Sequence, residues 1–118
     1  MRKLSLFDEL LSQADAFFKV ASGHARSTGR PSPGHGLPEP FLEQDERDRV
    51  GRLMRVNHAG EIAAQGLYQG QMLTSRRPEV RDRLDQSARE EGDHLHWCAE
   101  RLHQMGTHTS LLGPFWYL

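Results

Sequence analysis

The chain has 118 residues, 15 of them basic and 16 acidic, with a formal net charge of −1. That length fits one small domain with a modest core, and the near balance of charge leaves no electrostatic footprint for nucleic acid. A single cysteine, Cys98, excludes an internal disulfide framework and fits a reducing compartment, and no apolar run approaches the about 18 residues that a membrane span needs.

The opening MRKLSLFDELL sets basic residues before leucines, but Asp8 and Glu9 interrupt it before an apolar signal segment forms, so no signal peptide is expected. Residues 3–20 put Leu4, Phe7, Leu11, Ala14 and Phe18 on one stripe at helical spacing. Leu10 and Phe17 widen it, and Asp8, Ser12, Asp15 and Lys19 lie opposite. The spacing predicts an amphipathic helix as a first unit, residues 1–21. Its stripe has two readings: insertion at a membrane surface, or packing against the rest of the chain or a second copy. The acidic residues of its polar face oppose the first on anionic lipid.

Residues 22–40, SGHARSTGRPSPGHGLPEP, are rich in Gly, Pro and Ser and read as a linker. Residues 41–118 form the last unit. A helical pattern runs from about Phe41 to Ser75, and a second starts at Pro78, whose missing N–H suits a first helical turn. It runs to about Met105, and Gly106 is a natural stop. THTSLLGPFWYL reads as a loop leading into another apolar element. No strand-type alternation or internal repeat is visible, so the expected class is all-α.

The chemistry sits in the two long helices. In the second, Val80, Leu84, Cys98, Leu102 and Met105 define an apolar stripe, and Glu91 and His94 of EEGDHLHW fall inside it. Arg83, Arg89, Asp93, His96 and Glu100 fall outside. In the first, Val50, Leu53, Met54, Ala64, Tyr68 and Met72 define the stripe, with Glu61 in its middle and Asn57 one turn before. A buried carboxylate without a partner costs several kcal/mol, so it persists when paired, protonated or bound to a cation. A Glu on one helix and Glu-x-x-His on the next is half the ligand inventory of a two-metal carboxylate site in a helical bundle, and oxygen plus imidazole donors suit Fe or Mn.

A bare Glu-x-x-His recurs by chance, and Arg52 or Arg101 in a buried ion pair with either acid is the competing explanation. His58, His96, His103 and His108 read as solvent-facing or outer residues, His24 and His35 as linker residues, and Cys98, Trp97 and Tyr68 as ordinary packing. Asp93, beside His94, is a weaker candidate for an outer role.

RVNHAGEIAAQGLYQGQ (55–71) followed by EEGDHLHWCAERL (90–102) resembles the bacterial demethoxyubiquinone hydroxylase family. The amphipathic start, the Pro-rich stretch and GPFWYL extend the resemblance over nearly the whole chain. The resemblance implies a ferritin-like helical bundle, here a partial one, and a centre of two irons. It implies hydroxylation of a lipid-soluble demethoxyubiquinol by O₂ and a reductant, late in ubiquinone biosynthesis. Glu61, Glu91 and His94 match three of the family's metal ligands, Glu91 the bridging one. A polyprenyl tail implies peripheral attachment at the cytoplasmic face of the inner membrane.

Members of that family continue with two further long helices that carry another Glu and a second Glu-x-x-His. Three expectations follow. The chain is an N-terminal portion with little activity alone; or two copies pool their ligands in a homodimer that binds iron; or it is a helical interaction module held by ion pairs, without metal.

Overall fold

A computed structural model describes residues 5–118, and the elements in order are α1 (Leu6–Ala21), α2 (Gln44–Thr74), α3 (Pro78–Gln104) and α4 (Gly113–Tyr117). The described residues contain no strand, so the fold is an all-α helical bundle. Ser5 starts α1 with a reciprocal cap: its hydroxyl accepts the Asp8 amide, and Asp8 Oδ2 accepts the Ser5 amide at 3.0 Å. Leu4, the first residue of the expected stripe, lies outside the described residues.

The long helices α2 and α3 form an antiparallel hairpin across a connection of residues 75–77. At its closed end Pro78 occupies the first turn of α3. At the open end Arg47 of α2 donates to the Gln104 carbonyl at 2.7 Å, and Arg55 donates to the His108 carbonyl at 3.0 Å. Gly106 ends α3 with φ +74°, a left-handed conformation that a side chain disfavours, and its amide closes on the His103 carbonyl.

The buried line of α2 is Gly51, His58, Ile62, Gln65, Gln69 and Met72. It runs one residue later than the expected stripe, a rotation of about 100° on a helix. Met72 is common to both, Val50, Met54, Ala64 and Tyr68 are half-buried, and Leu53 is 58 % exposed. The rotation has a steric cause. Gly51 lets Thr107 approach, and the Gln65 amide reaches the Ala88 carbonyl at 2.6 Å, so small and polar residues make the seam that leucines were expected to make. On α3 the buried set is Ala88, Gly92, Asp93, Leu95 and Leu102, with Met105 just beyond.

Val20, Ala25, Ile62 and Leu95 join in one core cluster with Tyr117 against it. Leu102, 1 % exposed, lies further along α3. Leu102→Ala leaves a cavity there and is expected to lower stability by about 2–5 kcal/mol, read as a lower urea midpoint with an unchanged slope.

Two expectations of packing are corrected. The apolar stripe of α1 does not cover the hairpin: Phe7, Leu10, Leu11 and Phe18 are 68, 52, 54 and 66 % exposed. The helix docks by its flank, with Val20 buried and the Phe17 ring edge-on to Tyr117 at 5.1 Å. Glu9 also reaches Arg81 of α3 at 3.6 Å.

Residues 22–40 have no helix or strand, yet part of the segment lies along α3. Asp93, expected on an outward face, is 1 % exposed because that segment covers it. Its Oδ1 accepts the Thr28 amide at 2.7 Å, and its Oδ2 accepts the Thr28 hydroxyl at 2.6 Å and Arg30 Nε at 3.0 Å. Burial pushes the Asp93 carboxyl up, but the Thr28 and Arg30 bonds outweigh it and hold the group below the usual carboxylate range. Ala25 is buried, with its carbonyl 2.9 Å from His96 Nε2, and Arg26 pairs with Asp85.

Candidate metal centre

Glu61 is carried by α2, and Glu91 and His94 by α3, and one donor atom of each lies within 4.8 Å of the others. The i, i+3 spacing sets Glu91 and His94 one above the other, and the antiparallel hairpin brings Glu61 to the same level. His94 Nδ1 is 3.1 Å from Glu91 Oε2 and 3.8 Å from Glu61 Oε2. The three sequence candidates are thus brought together. They sit at the edge of the seam and not in its middle, because of the rotation of α2. Their side chains are 26, 23 and 39 % exposed in the order Glu61, Glu91, His94, so the cluster is open on one side.

The electrostatics of the cluster are those of a site short of positive charge. Burial, reinforced by a hydrogen bond and the charge of Glu91, pushes the Glu61 carboxyl up to about 7, and His94 offsets only part of the rise. The competing ion pairs do not form among the described residues: Arg101 holds Glu39 at 2.7 Å, and Arg52 is exposed. Burial and the Glu61 charge push the Cys98 thiol up, which keeps it protonated and a poor ligand. Two carboxylates and one imidazole nitrogen converging at this distance fit a divalent cation with mixed oxygen and nitrogen donors.

The surroundings hold two features that hydropathy alone did not reveal. His58, one turn before Glu61 and expected at the surface or in an outer role, is 8 % exposed, and its Nδ1 has no hydrogen-bond partner among the described residues. Burial pushes its pKa down, which keeps the ring neutral. Trp97 packs its ring 5.3 Å from that of His94 and donates Nε1–H to the Arg30 carbonyl at 3.1 Å. Tyr68 is half-buried and outside the cluster. A second group, Glu43, Asp45 and Glu46, is exposed at the first turn of α2, where acids complement the helix dipole.

A helical hairpin that gathers two carboxylates and an imidazole from facing helices has half the donor inventory of the carboxylate-rich helical-bundle metalloproteins. The match of residues 48–118 to one family model is specific. The chain belongs to the family described as Ubiquinone biosynthesis protein COQ7. It is 50 % identical over 116 residues to the 3-demethoxyubiquinol 3-hydroxylase of Nitrosococcus oceani, covering 98 % of this chain and 54 % of that relative. The protein of the same description from Pseudomonas syringae pv. syringae is 45 % identical over 116 residues, again 98 % and 54 % of the two chains. That of Legionella pneumophila is 43 % identical over 118 residues, 99 % and 55 % of the two. The chain spans about half the length of the curated relatives it matches. No solved structure matches it.

Proposed function

We propose that this chain supplies Glu61, Glu91 and His94 to a two-iron centre of a hydroxylase that acts on a demethoxyubiquinol. The observation that carries the reading is the convergence of Glu61, Glu91 and His94 Nδ1, with a Glu61 carboxyl raised to about 7 and no arginine or lysine beside it among the described residues. Two acids and an imidazole are costly there unless a cation replaces the shared proton. Bound iron supplies the reductive activation of O₂ for inserting one oxygen atom into the quinol ring, with electrons from a reductant.

The residues of the chain have separable tasks in this reading. Glu91, hydrogen-bonded to Glu61 and 3.1 Å from His94 Nδ1, takes the bridging role that the family resemblance implies. Glu61 gives up its proton as the cation binds. His94 presents Nδ1 to the same point.

The remaining ligands come from elements outside this hairpin. The open side of the cluster supports completion by a further pair of helices, as the longer relatives have room to supply, or by a second copy of the chain, which brings the same three donors about a two-fold axis. Attachment at a membrane surface, at the cytoplasmic face, suits a polyprenyl-tailed substrate. Exposed Leu6, Phe7, Leu10 and Leu11 on α1 and Leu111, Leu112 and Phe115 near α4 support it. No described helix is long and apolar enough to cross a membrane.

Anaerobic native mass spectrometry with added Fe(II) tests the reading, because it reads metal count and oligomeric state together. The expected result is an iron-bearing species that Glu91→Ala and His94→Ala each abolish. Iron uptake that is indifferent to both substitutions sinks it, and a wild-type chain that stays iron-free as monomer and dimer alike excludes completion by a second copy of the chain.

A further inference from the structure

The metal-ligand segment of α3 is held from behind. Residues 25–30 lie along residues 92–97 in five contacts: Ala25 carbonyl to His96, Arg26 backbone against Gly92, Thr28 and Arg30 to Asp93, and the Arg30 carbonyl to Trp97. A methyl group at position 92 would collide with the Arg26 carbonyl oxygen, so the approach is of backbone to backbone. Asp93 separates the two α3 ligand candidates in sequence. At about 100° per residue it points about 100° away from His94 and about 160° away from Glu91. A side chain fixed on that bearing fixes the rotation of the helix. A turn of α3 by about 10° would carry a carboxylate ~6 Å from the axis through about 1 Å, outside the about 0.5 Å tolerance of a preorganised site.

The same contacts reach the imidazole by a second route. The Arg30 guanidinium lies 5.4 Å from the centre of the Trp97 ring, and the His94 ring lies 5.3 Å from the same ring between centroids. Arg30 thus touches both Asp93 and the aromatic side chain that backs His94.

We propose that residues 25–30 are a positioning strap, in which Thr28 and Arg30, acting through Asp93 and Trp97, set the bearing of Glu91 and the orientation of the His94 ring. The strap is not itself a ligand donor. Its consequence for metal affinity rests on the two-iron reading, whereas its consequence for the His94 ring does not.

The test uses the whole chain and two readouts. The first is the pair of His94 ring-nitrogen resonances in the metal-free protein, assigned with His94→Gln. The second is a Co(II) titration followed by visible absorption, which reports ligand geometry as well as affinity. Thr28 and Arg30 are exposed, so Thr28→Val and Arg30→Ala leave the hairpin seam intact. Both are expected to shift the His94 resonances, to weaken Co(II) binding about tenfold or more and to change its absorption bands. Thr28→Ser keeps the hydroxyl and restores both readouts. Glu39→Ala, which removes the neighbouring Arg101 pair outside the strap, changes neither. A Thr28→Val protein that melts earlier but keeps wild-type His94 resonances and Co(II) behaviour overturns the proposal and leaves the segment a structural brace. If the unaltered chain takes up no Co(II), its three donors do not hold a metal by themselves. The strap then stands or falls on whether the His94 resonances move in Thr28→Val and return in Thr28→Ser.

Discussion

Glu61→Leu is expected to leave the metal-free chain at least as stable as the wild type at neutral pH, while removing all stabilisation by Fe(II) or Co(II). The sign follows from where the proton sits. The carboxyl is raised from 4.5 to about 7 in the folded chain, first by burial and then by Glu91. An acid with a raised folded-state pKa contributes its full stability below the unfolded value. That contribution is lost as pH rises from 4.5 through about 7, the window that Glu61 sets. Solvent reaches the side chain, which is about one-quarter exposed, and screens the effect, so the loss at neutral pH is on the order of 1–2 kcal/mol. Leucine has no such loss and adds apolar area beside Ile62. Urea midpoints at pH 5 and pH 7.5, with and without metal, check this. The wild type should lose stability between the two metal-free conditions, and the leucine protein should lose less. A clear destabilisation by leucine at pH 7.5 would mean that Glu61 is held in a favourable pair, which returns the cluster to a structural role.

The second large effect concerns glycines that look alike in sequence. Gly66, Gly70 and Gly92 all lie inside long helices, where alanine normally gains about 1 kcal/mol. At Gly70 nothing lies within 4 Å of an added methyl group, so Gly70→Ala should stabilise by about that amount. At Gly66 the methyl group meets the Tyr117 carbonyl oxygen, and at Gly92 that of Arg26. Both obstacles are backbone and cannot swing aside. Gly66→Ala and Gly92→Ala should therefore destabilise by about 1–3 kcal/mol, despite the gain in helix propensity. The proof of mechanism is local: Gly66→Ala should release α4, and Gly92→Ala should release residues 25–30. Thermal melts rank the three proteins, and a Gly92→Ala chain as stable as Gly70→Ala would show that the segment does not lie on α3.

Sequence periodicity made the helices and the all-α class legible, since caps such as Ser5, Pro78 and Gly106 act locally. The gathering of Glu61, Glu91 and His94 was legible too, because two antiparallel helices joined by three residues leave little freedom in how their levels align. The exact buried face was not. Leu53 was expected inside because it is apolar, but the seam is set by Gly51, Gln65 and Ala88, whose fit depends on shape and on one buried amide bond. Asp93 was misplaced for a different reason. A single stripe per helix assumes a single partner, and α3 has two, α2 on one side and residues 25–30 on the other. Nothing in SGHARSTGR announces that docking, because its bonds use backbone groups, one threonine and one arginine against an aspartate far away in sequence.

That distance bears on the order of events in folding. The hairpin closes across three residues and nucleates from local contacts. The Thr28, Arg30 and Ala25 contacts with α3 join residues 65, 63 and 71 positions apart, so they carry a large loop-closure entropy and gain only once α3 exists. They form late and open first. Amide exchange at Thr28, whose N–H is held only by Asp93, therefore proceeds through a small opening that leaves α2 and α3 paired, and it is faster than exchange at Leu95 or Leu102 in the seam.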